Sequence, residues 1–191
     1  MRFGPKARMN VTTTEEKEAR LKDYIRQHIQ RAAGAPAGQT VYRLLALSAE
    51  SPVARALQAL APELEAAGIR VESVLARRST STTLEIAECR FVTDHRLLDA
   101  HEQLVLDSTT VWIGDCMRRD PLKRDVYELY SDTSPVTARH AARSFAQIWR
   151  AAGPSGSLTA ARKWTPRQPN LFDPSLIATG EQAPVPAVLR H

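Results

Sequence analysis

Near the start of the chain, hydrophobic residues recur every three to four positions, the spacing of one face of a helix. The residues on that face are Leu21, Ile25, His28 and Ile29. Thr13 and Glu16 have the spacing of a capping box, in which each side chain binds the backbone N–H of the other residue. The pattern predicts a helix over about residues 14–32, ended by Gly34 and Pro36.

A strand–helix–strand unit follows. Residues 41–47 and 69–75 are short, apolar, β-prone runs that predict two buried strands. Between them, helical spacing begins after Pro52 and stops at Gly68. Connections this short imply a parallel strand pair with a right-handed crossover.

The second half of the domain alternates strand-like runs with turns and closes with a helix. The strand candidates are residues 84–92, 100–106, 110–113 and 126–130. Pro135 then begins an amphipathic helix. We therefore expect an α/β fold, a three-layer α-β-α sandwich with a mixed central sheet.

Composition and pattern divide the chain into four parts. These are a disordered or flexible N-terminus (1–13), an amphipathic helix (14–34), the α/β domain (35–153) and a disordered, proline-rich tail (154–191). The whole chain is 43% hydrophobic and 25% charged, which is ordinary for a domain with a core. The tail shows no sustained period and is not expected to form a second domain.

The net charge of +5 is unevenly distributed. Residues 1–32 carry a balance of +4 and residues 153–191 a balance of +2, so the middle of the chain carries −1. This distribution argues against a basic face on the domain as a whole and leaves room for local patches.

Several classes of protein are disfavoured. No apolar run approaches the roughly 18 residues of a membrane span, and residues 1–10 lack the pattern of a secretory signal. Cys89 and Cys116 are read as reduced thiols of a cytoplasmic protein. Together with His95 and His101 they show no metal-ligand spacing, so we expect neither a metal nor a cofactor.

The stretch that begins at His101 resembles the signature of the phospholipase D superfamily. That signature is His-x-Lys, an Asp after four further residues, and then Gly-Ser-x-Asn. The matching positions here are His101, Gln103, Asp107, Gly114, Asp115 and Met117. Glu128 matches a later carboxylate of the family, and the resemblance covers roughly residues 40–150.

The resemblance implies a phosphodiesterase chemistry. In that family the His attacks a phosphodiester and becomes a phosphohistidine, and Glu128 is the matching acceptor that would fix the imidazole tautomer of His101. The Lys, Ser and Asn neutralise and hydrogen-bond the phosphoryl oxygens. Two motifs meet in each active site, so a chain with one motif is expected to form a homodimer.

Departures from the signature predict a pseudoenzyme. Gln103 brings no positive charge, Asp107 comes one residue early, and Asp115 places a carboxylate where phosphate oxygens would lie. Losing one preorganised donor typically costs about 10²–10³ in rate. We expect a non-catalytic domain that binds a phosphorylated or nucleic-acid partner or acts as a scaffold. The alternative is a divergent phosphodiesterase or nuclease with His101 as nucleophile.

Plainer interpretations of the same residues stay open. His101 could be a strand residue packed at a sheet edge, and Trp112 is expected in the core. A basic cluster follows the motif and consists of Arg118, Arg119, Lys123 and Arg124. It is either a solvated loop balanced by neighbouring aspartates or a phosphate-contacting rim.

The tail contains one short motif. Gln168, Leu171 and Phe172 resemble the Gln-x-x-Leu-Phe peptide by which bacterial DNA polymerases and repair proteins dock on the sliding clamp. Adjacent apolar side chains in a polar, disordered chain suit a preformed pocket. A second alternative function is therefore a clamp-associated adaptor in DNA metabolism.

Overall fold

The computed structural model describes residues 7–8, 13–32, 40–78, 84–92, 94–118 and 128–152. The helices are α1 (Thr14–Ala32), α2 (Pro52–Ala59), α3 (Ala61–Ala66) and α4 (Pro135–Ala152), and a 3-10 helix spans His95–Asp99. The strands are β1 (Ala7–Arg8), β2 (Val41–Ala46), β3 (Arg70–Leu75), β4 (Ala87–Phe91), β5 (His101–Val105), β6 (Val111–Cys116) and β7 (Glu128–Ser131).

These strands form one sheet in the order β1-β7-β6-β5-β2-β3-β4. β2, β3 and β4 run parallel to one another, and β5, β6, β7 and β1 add to the sheet as antiparallel neighbours. The sheet is therefore mixed, as the sequence predicted. The expected crossover unit is also confirmed, since α2 and α3 connect the parallel strands β2 and β3.

Helices cover both faces of the sheet. Leu21 of α1 and Leu57 of α2 share one hydrophobic cluster with Trp112 of β6. On the other face, Phe145 of α4 clusters with Leu45 of β2. The predicted three-layer α-β-α sandwich is confirmed, and α1 packs into the same core as the helices and strands that follow it.

Local sequence signals explain where two helices begin and end. The Thr13 N–H donates to Glu16 Oε2 at 3.0 Å and the Glu16 N–H to Thr13 Oγ1 at 3.2 Å, so the capping box forms. At the end of α3, Gly68 has a φ of 64°. The Ile69 N–H donates to the Leu64 carbonyl across this glycine, which closes a Schellman motif.

Two features differ from the sequence prediction. The helix expected from Pro52 to Gly68 is divided at Leu60, because Pro62 lacks an N–H and its ring opposes a carbonyl one turn earlier. Ala7–Arg8 pair with β7, inside a segment that was expected to be flexible. Because the partner strand lies 120 residues away in sequence, the two-residue stretch itself contains no pattern that predicts a strand.

In the part of the chain that the structure describes, no helix is long and apolar enough to cross a membrane.

Candidate functional site

His101 begins β5, as the strand pattern predicted, and its ring is half-buried. The pairing of β5 with β6 is irregular between His101 and Gln103. Nδ1 lies 2.7 Å from the Gly114 carbonyl oxygen. A carbonyl only accepts, so Nδ1–H is the donor and the tautomer of a neutral ring is fixed with its lone pair on Nε2.

Glu128 lies on β7, which β6 separates from β5. Its carboxylate is buried, pairs with Arg20 Nη1 at 3.3 Å and accepts from the Tyr130 hydroxyl at 3.1 Å. Burial, and next the Glu128 charge, raises the pKa of Tyr130, so the phenol stays protonated and donates. Nδ1 of His101 thus pairs with the Gly114 carbonyl, and the ion pair of Glu128 with Arg20 ties α1 to the sheet.

Gln103, which the sequence resemblance matched to the family lysine, is 4% exposed. Its Nε2 donates to the Ala141 carbonyl of α4 at 3.1 Å. A side chain amide engaged this way ties α4 to β5. The contact is therefore a structural one between a strand and a helix.

Gly114 has a packing role. A Cβ at this position would lie 2.4 Å from Cη2 and 2.6 Å from Cζ2 of Trp112. Trp112 is fully buried, as predicted, and its indole occupies the space beside the glycine. Only glycine fits here without moving a large core side chain.

The two positions after Gly114 that correspond to the family Ser and Asn are occupied differently. Asp115 is half-buried at the end of β6. Met117 is 3% exposed and belongs to the cluster under α4 with Phe145. A buried thioether offers no amide donor to an anion.

Asp107 lies in the turn between β5 and β6, where it accepts from the N–H groups of Thr109 and Thr110, each at 2.6 Å. Its Oδ2 lies 2.7 Å from Nε2 of His28. Burial favours the neutral acid, but the hydrogen bonds from His28, Thr109 and Thr110 outweigh it and hold the pKa of Asp107 well below its usual range. Asp107 therefore organises a turn and holds α1.

Sequence reasoning placed His28 only among core positions, yet both of its ring nitrogens contact side chains from distant parts of the chain. The ring is 5% exposed, with Nδ1 2.7 Å from the Tyr42 hydroxyl and Nε2 on Asp107. Ionised Asp107 only accepts, so Nε2 carries a proton. The one available signal was a histidine on the apolar face of α1.

The remaining predicted elements lie at or beyond the edge of the described residues. Arg118 is exposed and pairs with Asp99 at 2.7 Å, while the other basic residues of its cluster lie outside those ranges. Gln168, Leu171 and Phe172 also lie outside them. Cys89 and Cys116 form no disulfide, and the described residues contain no group of three or more His, Cys, Asp or Glu placed to hold a metal.

A cavity of about 520 Å³ lies between the start of β2, the turn after β5 and the first turns of α4. The polar part of its lining comes from Thr40, Arg43, Asp107, Ser108, Thr109 and Arg139. Arg43 also lies 3.5 Å from Glu72. This cavity adjoins Asp107 rather than His101, which lies at the other end of β5.

Three solved structures show related folds. Nuc from Salmonella typhimurium, a phospholipase D family member, is 17% identical, and the match covers 65% of this chain and 86% of Nuc with a TM-score of 0.43. NucT from Helicobacter pylori is 12% identical, with 69% and 91% covered and a TM-score of 0.44. TrmBL2, an archaeal chromatin protein described with a novel mode of DNA binding, is 13% identical, with 70% and 51% covered and a TM-score of 0.41.

No protein-family model matches the sequence, and no curated protein matches it significantly. The expected likeness to the phospholipase D superfamily is found again among the solved structures, as a likeness of fold. At these identities and TM-scores it carries nothing about chemistry, so function rests on the side chains.

Proposed function

We propose that this chain is a non-catalytic phospholipase D-like domain that binds a phosphorylated or nucleic-acid partner or serves as a scaffold. The observation that carries the proposal is the contact of Gln103 with the Ala141 carbonyl. The residue at the family's cationic position is buried and tied to α4, so it does not meet the developing charge of a phosphoryl group.

Three further contacts support the same conclusion. The Glu128 carboxylate is engaged with Arg20, Gly114 accommodates the Trp112 indole, and Met117 is packed under α4. Glu128, Gly114 and Met117 thus contribute to an ion pair or to packing. Several catalytic donors are therefore replaced together, and their loss compounds.

The test is a phosphodiesterase assay on the full chain with bis(p-nitrophenyl) phosphate and with plasmid DNA. We expect no turnover beyond that of His101→Ala. His95→Ala is the matched control, since His95 is an exposed histidine in the neighbouring 3-10 helix. Cleavage that disappears in His101→Ala and persists in His95→Ala would refute the non-catalytic proposal.

A divergent phosphodiesterase is the second candidate, and one observation favours it. The hydrogen bond from His101 Nδ1–H to the Gly114 carbonyl leaves the lone pair of a neutral ring on Nε2, as a nucleophilic imidazole requires. Trapping a phosphohistidine at His101 with a labelled diester would support this candidate, and no label after prolonged incubation would count against it.

Homodimerisation belongs to the proposal through the family resemblance, and cytoplasmic localisation through the interpretation of Cys89 and Cys116 as reduced thiols. Size-exclusion chromatography with light scattering tests the first. A mass of one chain at micromolar concentration would contradict it, and a mass of two chains would support it.

The clamp-adaptor function rests on Gln168, Leu171 and Phe172 of the tail. Pull-down with a bacterial sliding clamp, comparing the full chain with Leu171→Ala/Phe172→Ala, tests it. Equal recovery of both proteins would remove the motif from consideration.

A further inference from the structure

The exposed side of α4 carries a row of positive charge. The helix contains no Asp or Glu, and Arg139, Arg143 and Arg150 are exposed. Arg150 Nε donates to the Ala146 carbonyl of its own helix. Among the described residues, no carboxylate forms an ion pair with any of the three.

Helical geometry places these arginines along one side. A rise of about 1.5 Å per residue separates Arg139 from Arg143 by about 6 Å and Arg143 from Arg150 by about 10 Å along the axis. Residues three, four and seven apart share a face, so the guanidinium groups form a stripe. A stripe of this length suits a linear polyanion better than one small anion.

The cavity described above continues the stripe at its amino-terminal end. Arg139 lines it together with Arg43, whose guanidinium is partly neutralised by Glu72. Asp107 lies in the same cavity, and the described contacts of its carboxylate are with His28, Thr109 and Thr110. The positive side chains therefore extend from α4 toward the start of β2.

The exposed apolar side chains near α4 indicate which kind of polyanion this surface suits. A helix that binds membranes inserts large apolar side chains, and single-stranded nucleic acid is held by exposed aromatic rings. Within the described ranges Val136 is the one large hydrophobic side chain that is strongly exposed. Trp149 is stacked against Phe145 at a centroid distance of 5.5 Å, with Arg90 over its ring. This surface therefore offers charge without a stacking platform.

We propose that the outer face of α4 binds the phosphate backbone of duplex nucleic acid through Arg139, Arg143 and Arg150, without reading sequence. The inference rests on the part of the proposed function that gives the domain a phosphate-rich partner. It assigns that partner to a surface other than the His101 position. It also refines the expectation from net charge, because a domain with a balanced total carries a local basic stripe.

The test uses the full chain and fluorescence anisotropy with a labelled 24-base-pair duplex between 50 and 200 mM salt. Neutralising three phosphates predicts a slope of log K against log salt concentration of about −3. Arg139→Gln/Arg143→Gln/Arg150→Gln should weaken binding about ten-fold or more and bring the slope toward zero. Replacing the same residues with Lys keeps the charge and should keep most of the affinity.

The matched control is Arg31→Gln/Arg70→Gln/Arg77→Gln, which removes the same charge from exposed residues outside α4. Its slope should stay near that of the unmodified chain. Equal loss in both triple variants would overturn the α4 assignment while leaving nucleic-acid binding intact. No duplex binding at 50 mM salt, or tighter binding to a single strand or to anionic vesicles, would overturn the inference. The diester assay tests the non-catalytic claim separately.

Discussion

His28 and His101 approach opposite ends of β5, and they differ in how their ring nitrogens are held. His28 comes from α1, is almost fully buried and uses both nitrogens, one on Tyr42 and one on Asp107. His101 starts the strand itself, is half-buried, and has Nδ1 on a main-chain carbonyl. The motif resemblance selects His101, whereas the more extensive side chain network surrounds His28.

The two histidines show that resemblance to a sequence motif and integration into the fold are separate properties of a residue. Around His28, a phenol and a carboxylate from distant parts of the chain converge, and Asp107 is itself held by Thr109 and Thr110. Around His101, the positions that should supply charge contact α1 and α4 instead. Gln103 and Glu128 therefore hold helices of the sandwich to its sheet.

Removing His28 should have the largest effect on stability. His28→Ala leaves the Tyr42 hydroxyl without its partner and removes a hydrogen bond to ionised Asp107, which should lower the free energy of unfolding by about 2–4 kcal/mol. His101→Ala removes the hydrogen bond from a half-buried ring to the Gly114 carbonyl and should cost less, about 1 kcal/mol. Urea denaturation of both variants makes the comparison, and equal losses would contradict it.

Gly114→Ala should have the next largest effect. The new methyl group must displace the Trp112 indole, and overpacking of this kind costs about 1–3 kcal/mol. Thermal denaturation and the near-ultraviolet circular dichroism of tryptophan measure it. An unchanged melting temperature would show that the indole moves aside freely.

Low pH should lower the free energy of unfolding, because protonation of Asp107 weakens its hydrogen bond with His28. Because the folded-state pKa of Asp107 is depressed, its stabilisation is present above the unfolded value of about 3.9 and is lost as pH falls toward the folded value. Asp107→Asn should therefore flatten the decline of unfolding free energy below about pH 5. Urea titrations between pH 3 and 7 measure the two slopes, and parallel curves would argue against the assignment.

The smallest effect on stability is expected from Arg118, just after the strand that pairs with His101. Arg118 and Asp99 form an ion pair in which both side chains are more than half exposed. Water screens such a pair, so Arg118→Ala should change stability by about 0–1 kcal/mol. A larger loss in urea denaturation would mean that Arg118 has a structural role beyond this pair.

Some of the candidate site was predictable from sequence, and some was not. His101 and Glu128 lie on the strands expected for them, since strand patterns are local, whereas β6 runs past the predicted end at Ile113 and takes in Gly114. Their partners were not predictable. Glu128 meets Arg20 across 108 positions of sequence, a contact that depends on how α1 packs rather than on any local spacing.

The amino-acid sequence by itself determined the limits of α1, the crossover unit and the mixed α/β order, because capping residues, glycine turns and hydrophobic periods act over a few neighbours. Tertiary structure alone decided that His28 joins Tyr42 to Asp107 and that Gln103 holds α4. These contacts join residues 14 to 79 positions apart. A buried polar group needs a hydrogen-bond partner, and the packing of the helices on the sheet decides which groups lie close enough to be that partner.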